Sequence, residues 1–157
     1  MPQIAPTEAE TAALARAITR ANGLAKSDTR VGIVAAIVMD DEVIAWGDNH
    51  VLAEDDPTRH AEMVAITNAC EHLERTSLKG ATLVTTLQPC EMCLSAMRFA
   101  GIERVVFAAQ KANVAGKYFM FQGLEIGDFA KACDDAFGWS GGTMEADVLP
   151  LYADGQE

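Results

Sequence analysis

The amino-acid sequence predicts an α/β fold in which helices cover both faces of a central sheet, a three-layer α-β-α sandwich. Two passages from an apolar strand into an amphipathic helix carry this prediction, one over residues 43–74 and one over residues 81–100. A helix that follows a strand packs against the sheet and brings the chain back to its starting edge. The next strand then runs parallel to the first. The two passages therefore predict parallel pairing of strands.

The first third of the chain predicts one helix and one hairpin. Alanine, leucine and isoleucine recur near helical spacing over residues 7–22, and Gly23 follows as a stop. Residues 31–39 are almost continuously apolar and β-branched, and the apolar run resumes at residues 43–46. Because the acidic residues 40–42 between these runs are typical of a turn, we expect a hairpin of two buried strands.

Helices and strands alternate along the middle of the chain. They are predicted over residues 60–74 (helix), 81–87 (strand), 90–100 (helix) and 105–109 (strand). The polar loop at residues 54–59 delivers His60 to the start of the first of these helices. Gly101 ends the second.

The pattern weakens beyond Gln110. Residues 125–136 predict a helix and the glycine-rich residues 139–142 predict a turn. The aromatic side chains here are core or subunit-contact residues by default, and one or two are candidates for a lid that stacks on a planar ring. They are Tyr118, Phe119, Phe121, Phe137 and Trp139.

Size and charge limit the classes of protein and partner. A chain of 157 residues, half of them hydrophobic, fits a single domain over residues 1–157. Because the chain lacks a secretion signal or an apolar run of membrane-spanning length, we expect a cytoplasmic protein with reduced cysteines. The formal net charge of −11 argues against nucleic acid and acidic membranes as partners.

The strongest chemical signal is a pair of short motifs. His60-Ala61-Glu62 is followed, after 26 intervening residues, by Pro89-Cys90-Glu91-Met92-Cys93. One imidazole and two thiolates are the three protein ligands of a catalytic Zn²⁺ site, whose fourth tetrahedral position stays open to water. A structural zinc site would need a fourth protein ligand. The motifs therefore predict catalytic zinc held by His60, Cys90 and Cys93.

Each motif stands at the start of a predicted helix. Cys90 and Cys93 are one helical turn apart and face the same way. His60 and Glu62 lie in a first turn, from which both side chains reach a ligand beyond the helix end. We therefore expect the site between two helix N-termini, whose positive dipole ends favour thiolate over thiol.

The charge of the predicted site assigns a role to Glu62. Zinc with two thiolates and a neutral imidazole is formally neutral and a weak Lewis acid, so a nearby carboxylate is needed to deprotonate water. We expect Glu62 to accept that proton, pass it to a ring nitrogen and later protonate the departing ammonia. The predicted reaction is hydrolysis of an exocyclic amine on a small nitrogen heterocycle.

The paired H-x-E and P-C-x-x-C motifs resemble the signature of zinc nucleobase deaminases. Residues 56–62 and 86–93 are similar to one branch of the cytidine and deoxycytidylate deaminase superfamily. That branch holds bacterial guanine deaminases, fungal-type cytosine deaminases and tRNA adenosine deaminases. The resemblance spans roughly residues 31–109 and implies a mixed sheet of about five strands and a homodimer.

The resemblance also implies substrate-binding residues. In this branch an asparagine on the strand before the H-x-E helix binds the substrate ring, and Asn49 stands where it is expected. Ala61, between His60 and Glu62, is the second expected contact. Asn49 also fits a simple turn residue after Gly47. A departure from the branch lies at residues 32–35, where Gly-Ile-Val-Ala replaces Pro-Phe-Gly-Ala and alters the pocket wall.

Three functions remain open at this point. The first is deamination of a free nucleobase, guanine or cytosine, or of a close analogue as a small-molecule substrate. The second is adenosine deamination in tRNA, against which the acidic composition argues, as does the polar and acidic segment at residues 149–157, where a basic helix would favour RNA. The third belongs to another class: a non-catalytic scaffold in which zinc only stabilises the fold and the surface binds a partner.

Overall fold

A single mixed sheet organises the structure, a computed structural model that describes residues 3–26 and 32–155. Its strands are β1 (Val34–Met39), β2 (Glu42–Asp48), β3 (Thr82–Leu87), β4 (Arg104–Ala109) and β5 (Gly138–Gly141). Its α-helices are α1 (Glu8–Leu24), α2 (Val51–Glu54), α3 (Ala61–Leu73), α4 (Glu91–Phe99) and α5 (Ile126–Ala132). The strand order is β2-β1-β3-β4-β5, so the predicted α/β class and the five strands are confirmed.

The predicted parallel pairing holds for only one of the two strand-to-helix passages. Strands β3 and β4, joined through α4, are parallel neighbours, and β5 continues the parallel order. Strands β2 and β3, joined through α3, are not neighbours, because β1 lies between them and is antiparallel to both. The two outer strands of this trio thus run in the same direction without sharing hydrogen bonds.

Helix α1 starts at a capping box and runs past its predicted stop. The Thr7 hydroxyl accepts a hydrogen bond from the Glu10 amide at 3.1 Å, and the Glu10 carboxylate accepts one from the Thr7 amide at 2.9 Å. The prediction that Gly23 ends the helix is wrong. Gly23 continues the helix to Leu24, and Ala25 caps it in right-handed helical conformation.

The hairpin forms as predicted, with different ends and burial. Asp40 and Asp41 both adopt positive φ, 51° and 64°, as a two-residue turn between twisted strands requires. Strand β1 begins at Val34, and Val31, where the sequence started this strand, lies outside the described residues. Strand β1 is buried, but β2 is a half-exposed edge strand, so the prediction of two buried strands is wrong for β2.

The prediction of a turn over residues 139–142 is wrong for residues 139–141, which belong to the edge strand β5, whereas Gly142 follows the strand with a positive φ of 92°. The residues of β5 pair in register with β4, from Gly138 beside Arg104 to Gly141 beside Phe107. A Cβ atom at Gly141 would overlap the Phe107 ring, so the missing side chain makes room for an aromatic neighbour. The glycines thus serve close packing within a sheet.

Helices cover both faces of the sheet. Helix α1 packs on β1, β3 and β4, whereas α3 packs on β2 and β1 and contacts α4. Between them lies one large core that includes the fully buried side chains of β1, β3 and β4. In the described part of the chain, none of the helices has both the length and the apolar character that crossing a membrane requires.

We predict opposite stability effects for two glycine substitutions. A Cβ atom at Gly47 on β2 would overlap the backbone of Ala61 and Ala65, so Gly47→Ala forces α3 off the sheet. It should lower the free energy of unfolding by about 1–3 kcal/mol. Gly23→Ala meets no atom within 4 Å and should raise this free energy by about 0.5–1 kcal/mol. Urea unfolding followed by circular dichroism measures both, and a Gly47→Ala variant as stable as the parent contradicts the packing argument.

Candidate metal centre and pocket

Two helix N-termini bring the predicted ligands together. His60 is the N-cap residue of α3, and Cys90 is the N-cap residue of α4, with Cys93 one turn further on. The His60 Nδ1 atom lies 3.4 Å from the Cys90 sulfur and 3.7 Å from the Cys93 sulfur. The two sulfurs are 3.7 Å apart. All three side chains thus point at one place, as the motif spacing predicts.

These separations match the edges of a zinc coordination tetrahedron. Zinc–sulfur bonds of about 2.3 Å and zinc–nitrogen bonds of about 2.0 Å require edges of about 3.8 Å between sulfurs and about 3.5 Å between sulfur and nitrogen. The observed distances of 3.4–3.7 Å fit this set. Within residues 3–26 and 32–155, the group of ligand atoms within 4.8 Å of one another has these three members. The described part of the chain therefore offers three ligands.

The electrostatics of the ligand group favour the deprotonated form of one sulfur, that of Cys90. The hydrogen bond between the two sulfurs, aided by the one with His60, lowers the pKa of Cys90 to about 5. The hydrogen bond to Cys90 raises the pKa of His60, because imidazolium is stabilised beside a thiolate. The contact with Cys90 and burial both raise the pKa of Cys93. A cation held at this point would favour the deprotonated form of both sulfurs.

Glu62 lies beside the ligand group without belonging to it. Its side chain is 4% exposed, and burial raises the pKa of its carboxyl group. The Cys93 thiol donates to its Oε2 atom at 3.3 Å, and the Thr85 hydroxyl donates to its Oε1 atom at 3.0 Å. A buried carboxyl group in this position is suited to exchanging protons with a molecule in the site.

An open pocket of about 570 Å³ leads to the ligand group, within the range of small-molecule sites. His60, Glu62 and Cys90 contribute to its floor. Its remaining wall is largely apolar. Exposed hydrophobic side chains stand at the pocket: Leu52 (75% exposed), Met120 (75%) and Phe121 (59%). The site therefore combines a polar, metal-binding floor with an apolar entrance.

Both predicted substrate-binding residues line this pocket. The Asn49 side-chain oxygen accepts a hydrogen bond from the Val51 amide at 2.9 Å, so Asn49 is also the turn residue of the alternative interpretation. With its oxygen occupied, the amide presents its NH₂ donor. Ala61 is the first residue of α3, where a backbone N–H has no acceptor within the helix. Ile33, from the segment that departs from the branch, also lines the pocket.

The aromatic residues of the C-terminal part divide between core and pocket. Phe119 is buried against Cys90 and Cys93 and shields the sulfurs. Phe137 and Trp139 belong to the main core. Tyr118 and Phe121 line the pocket, and they alone among the five predicted candidates occupy the position of a lid.

Two contacts hold the pocket-lining loop at residues 116–124, and the sequence did not reveal them. The Glu91 carboxylate, on α4 between the two cysteines, accepts a hydrogen bond from the Phe121 amide at 2.7 Å. The Lys111 ammonium donates to the backbone oxygens of Phe121 at 3.2 Å and Gln122 at 3.1 Å, and also to that of Leu124. The one sequence feature that pointed to such a contact is the position of Glu91 between the two cysteines of the motif.

The chain is similar in sequence to known deaminases. Residues 7–109 match the family model described as the cytidine and deoxycytidylate deaminase zinc-binding region. The chain is 40% identical over 100 residues to a tRNA-specific adenosine deaminase of Aquifex aeolicus, covering 64% of this chain and 65% of that protein. It is 42% identical over 81 residues to a guanine deaminase of Bacillus subtilis, covering 52% of each. The matches thus span about half to two thirds of these relatives.

A solved structure from a study of A-to-I editing by tRNA A34 deaminases at the wobble position resembles this fold. Its TM-score is 0.72 at 33% sequence identity, and the match covers 86% of this chain and 94% of that one. The similarity therefore extends beyond the two motifs to most of the fold.

We predict that, of the four cysteines, only Cys90 and Cys93 are needed for zinc binding. The purified protein should contain about one zinc ion per chain, and Cys93→Ser should reduce it to a trace because a soft thiolate ligand is lost. Cys70→Ser is the matched control, since Cys70 lies outside the ligand group. Atomic absorption after dialysis measures the metal. Equal loss of zinc in both variants contradicts the assignment.

Proposed function

This chain belongs to the cytidine and deoxycytidylate deaminase family, whose zinc-binding region matches well over half of it, and from that premise we propose that it is a zinc-dependent aminohydrolase. The reaction replaces an exocyclic amino group on a small nitrogen heterocycle with oxygen and releases ammonia. The observation that carries the proposal is the convergence of His60, Cys90 and Cys93 beside the Glu62 carboxyl group at the floor of an open pocket.

Glu62 carries the protons in the proposed reaction. Zinc, when held by His60, Cys90 and Cys93, supplies Lewis acidity that makes water a stronger acid. Glu62 takes a proton from the attacking water and delivers it to the ring nitrogen next to the reacting carbon. As the carbon–nitrogen bond breaks, a second transfer through Glu62 protonates the leaving amine. Water and the aminated ring thus become a ring carbonyl and ammonia.

Asn49 and Ala61 orient the ring in this proposal. The Asn49 NH₂ group and the Ala61 N–H group are donors at the pocket wall, so they pair with acceptor atoms of the substrate. Carbonyl oxygens and unprotonated ring nitrogens are such acceptors. Tyr118 and Phe121 offer aromatic surfaces on which a planar ring packs.

A free nucleobase, guanine or cytosine, or a close analogue is the substrate class we propose. The net charge of −11 repels a polyanionic substrate. Lys117 is the one lysine or arginine among the lining residues, which also include the two carboxyl groups of Glu62 and Glu91. Three of the exposed lining side chains are large and apolar: Leu52, Met120 and Phe121. These features support a small, flat, neutral ligand. The relative named guanine deaminase supports the same class.

Adenosine in tRNA is the second candidate substrate. The Aquifex aeolicus relative and the tRNA A34 deaminase structure favour it, the latter through a match over 94% of its chain. A zinc deaminase that acts on nucleic acid takes a base extruded into its pocket, and the surrounding surface must hold phosphates. The acidic character of this chain opposes that requirement.

We also propose that residues 1–157 form one domain and that two copies associate, as the resemblance implies. Phe99, at the end of α4, is 93% exposed. A large apolar side chain this exposed is a candidate contact for a second copy.

We predict that Glu62→Gln abolishes turnover while leaving the metal in place. Glutamine keeps the shape of the side chain but cannot carry a proton, so kcat should fall about 10²–10⁴-fold. The assay is ammonia release from a panel of purines, pyrimidines, their nucleosides, pterins and triazines, with zinc content measured in parallel.

Near-normal turnover by a zinc-loaded Glu62→Gln variant would contradict the proton-carrier role. If the zinc-loaded parent releases ammonia from no member of the panel and no tRNA, the non-catalytic scaffold is favoured instead. Glu54→Gln is the matched control, because Glu54 is half-exposed on α2 and contacts His50 and Arg59 outside the ligand group.

We predict that this chain does not bind tRNA at either low or moderate salt concentration. In filter binding at about 50 mM and 200 mM salt, a protein that contacts several phosphates loses about 10³-fold or more in affinity. This chain should show no retention at either concentration, because its net charge is negative. Salt-dependent retention together with inosine formation in tRNA would establish the second candidate in place of the first.

A further inference from the structure

A buried hydroxyl group stands behind the proposed proton carrier. Thr85, on β3, is 0% exposed, and its Oγ1 atom lies 3.0 Å from Glu62 Oε1. The same atom lies 3.0 Å from the backbone oxygen of Leu87. Neither zinc-ligand motif includes this residue, and Thr85 does not line the pocket. Its contact with Glu62 therefore calls for a role other than binding substrate or metal.

Resting on the function proposed above, we infer that Thr85 is a positioning residue that fixes the carboxyl group of Glu62. By holding Oε1 against β3, it leaves Oε2 facing the ligand group, 3.3 Å from the Cys93 sulfur. The glutamate side chain has three rotatable bonds, so without this hydrogen bond the carboxyl group of Glu62 rotates between orientations. Thr85 therefore determines which of the two oxygens exchanges protons with the molecule in the pocket.

The hydroxyl is suited to this role in both states of a proton carrier. It has one hydrogen and two acceptors within reach, Glu62 Oε1 and the Leu87 carbonyl. When Glu62 is a carboxylate, Thr85 donates to it. When Glu62 holds a proton on Oε2, Oε1 is a carbonyl oxygen that still accepts the hydrogen bond from Thr85. Glu62 therefore keeps one hydrogen bond from this position throughout the reaction.

The neighbouring threonine provides a contrast. Successive side chains of a strand point to opposite faces, and Thr86 faces away from the site. Its hydroxyl accepts a hydrogen bond from the Val34 amide at 3.1 Å and pairs with the Tyr152 hydroxyl at 2.8 Å. Thr86 is as buried as Thr85 but contacts no group of the proposed reaction. A comparison of variants at Thr85 and Thr86 therefore distinguishes a positioning role from a structural one.

Thr85→Val, Thr85→Ser and Thr86→Val form the test. Valine keeps the shape of threonine without the hydroxyl, so Thr85→Val should lower kcat about 10- to 100-fold, with KM and zinc content close to the parent. Thr85→Ser restores the hydroxyl and should recover most of kcat. Thr86→Val should lower the melting temperature and leave kcat unchanged.

A crystal structure of Thr85→Val adds a readout independent of activity. The carboxyl group of Glu62 should turn away from β3 in this variant and stay in place in Thr85→Ser. Unchanged kcat or an unmoved carboxyl group in folded, zinc-loaded Thr85→Val overturns the inference. Loss of zinc that accounts for the loss of kcat also overturns it. If Glu62→Gln itself stays active, the proposed function fails first, so the two failures are distinguishable.

Discussion

The structure depends on holding two sulfurs and one imidazole nitrogen within 3.7 Å of one another. Two thiolates this close repel, and only a shared proton or a cation makes the arrangement favourable. Each ligand therefore needs a rigid support. The N-termini of α3 and α4 provide it, because N-cap residues have fixed backbone geometry and the helix dipoles favour negative charge there. Phe119 packs with both cysteines in one buried cluster.

The sheet sets the distance between the two helices. Gly47 lets α3 approach β2 closely, and α4 begins where the chain leaves the carboxyl end of β3. The same strand supplies Thr85, so the carboxyl group of Glu62 is held by the sheet while its helix holds His60. Metal ligands and proposed proton carrier thus share one framework, and the apolar pocket lies open above them.

The sequence predicted the parts of this site that depend on local spacing. Cys90 and Cys93 lie one turn apart at the start of a helix, so they share a helix face in any fold that keeps this helix. His60 and Glu62 lie where a polar loop ends and the next helix begins. The sequence did not predict the interposition of β1 between β2 and β3, nor the strand around Trp139, because both depend on distant partners. A glycine beside an aromatic ring and a glycine in a turn look alike in a sequence.

Zinc-edge X-ray absorption of the purified, zinc-loaded protein tests the central claim most directly. The account predicts two sulfur neighbours at about 2.3 Å and two lighter neighbours at about 2.0–2.1 Å, one of them from imidazole. Three sulfur neighbours would mean that either Cys70 or Cys133 fills the fourth position at the metal, and four would mean that both cysteines are ligands. Such a spectrum would contradict an open position at the metal, and with it the proposed hydrolysis.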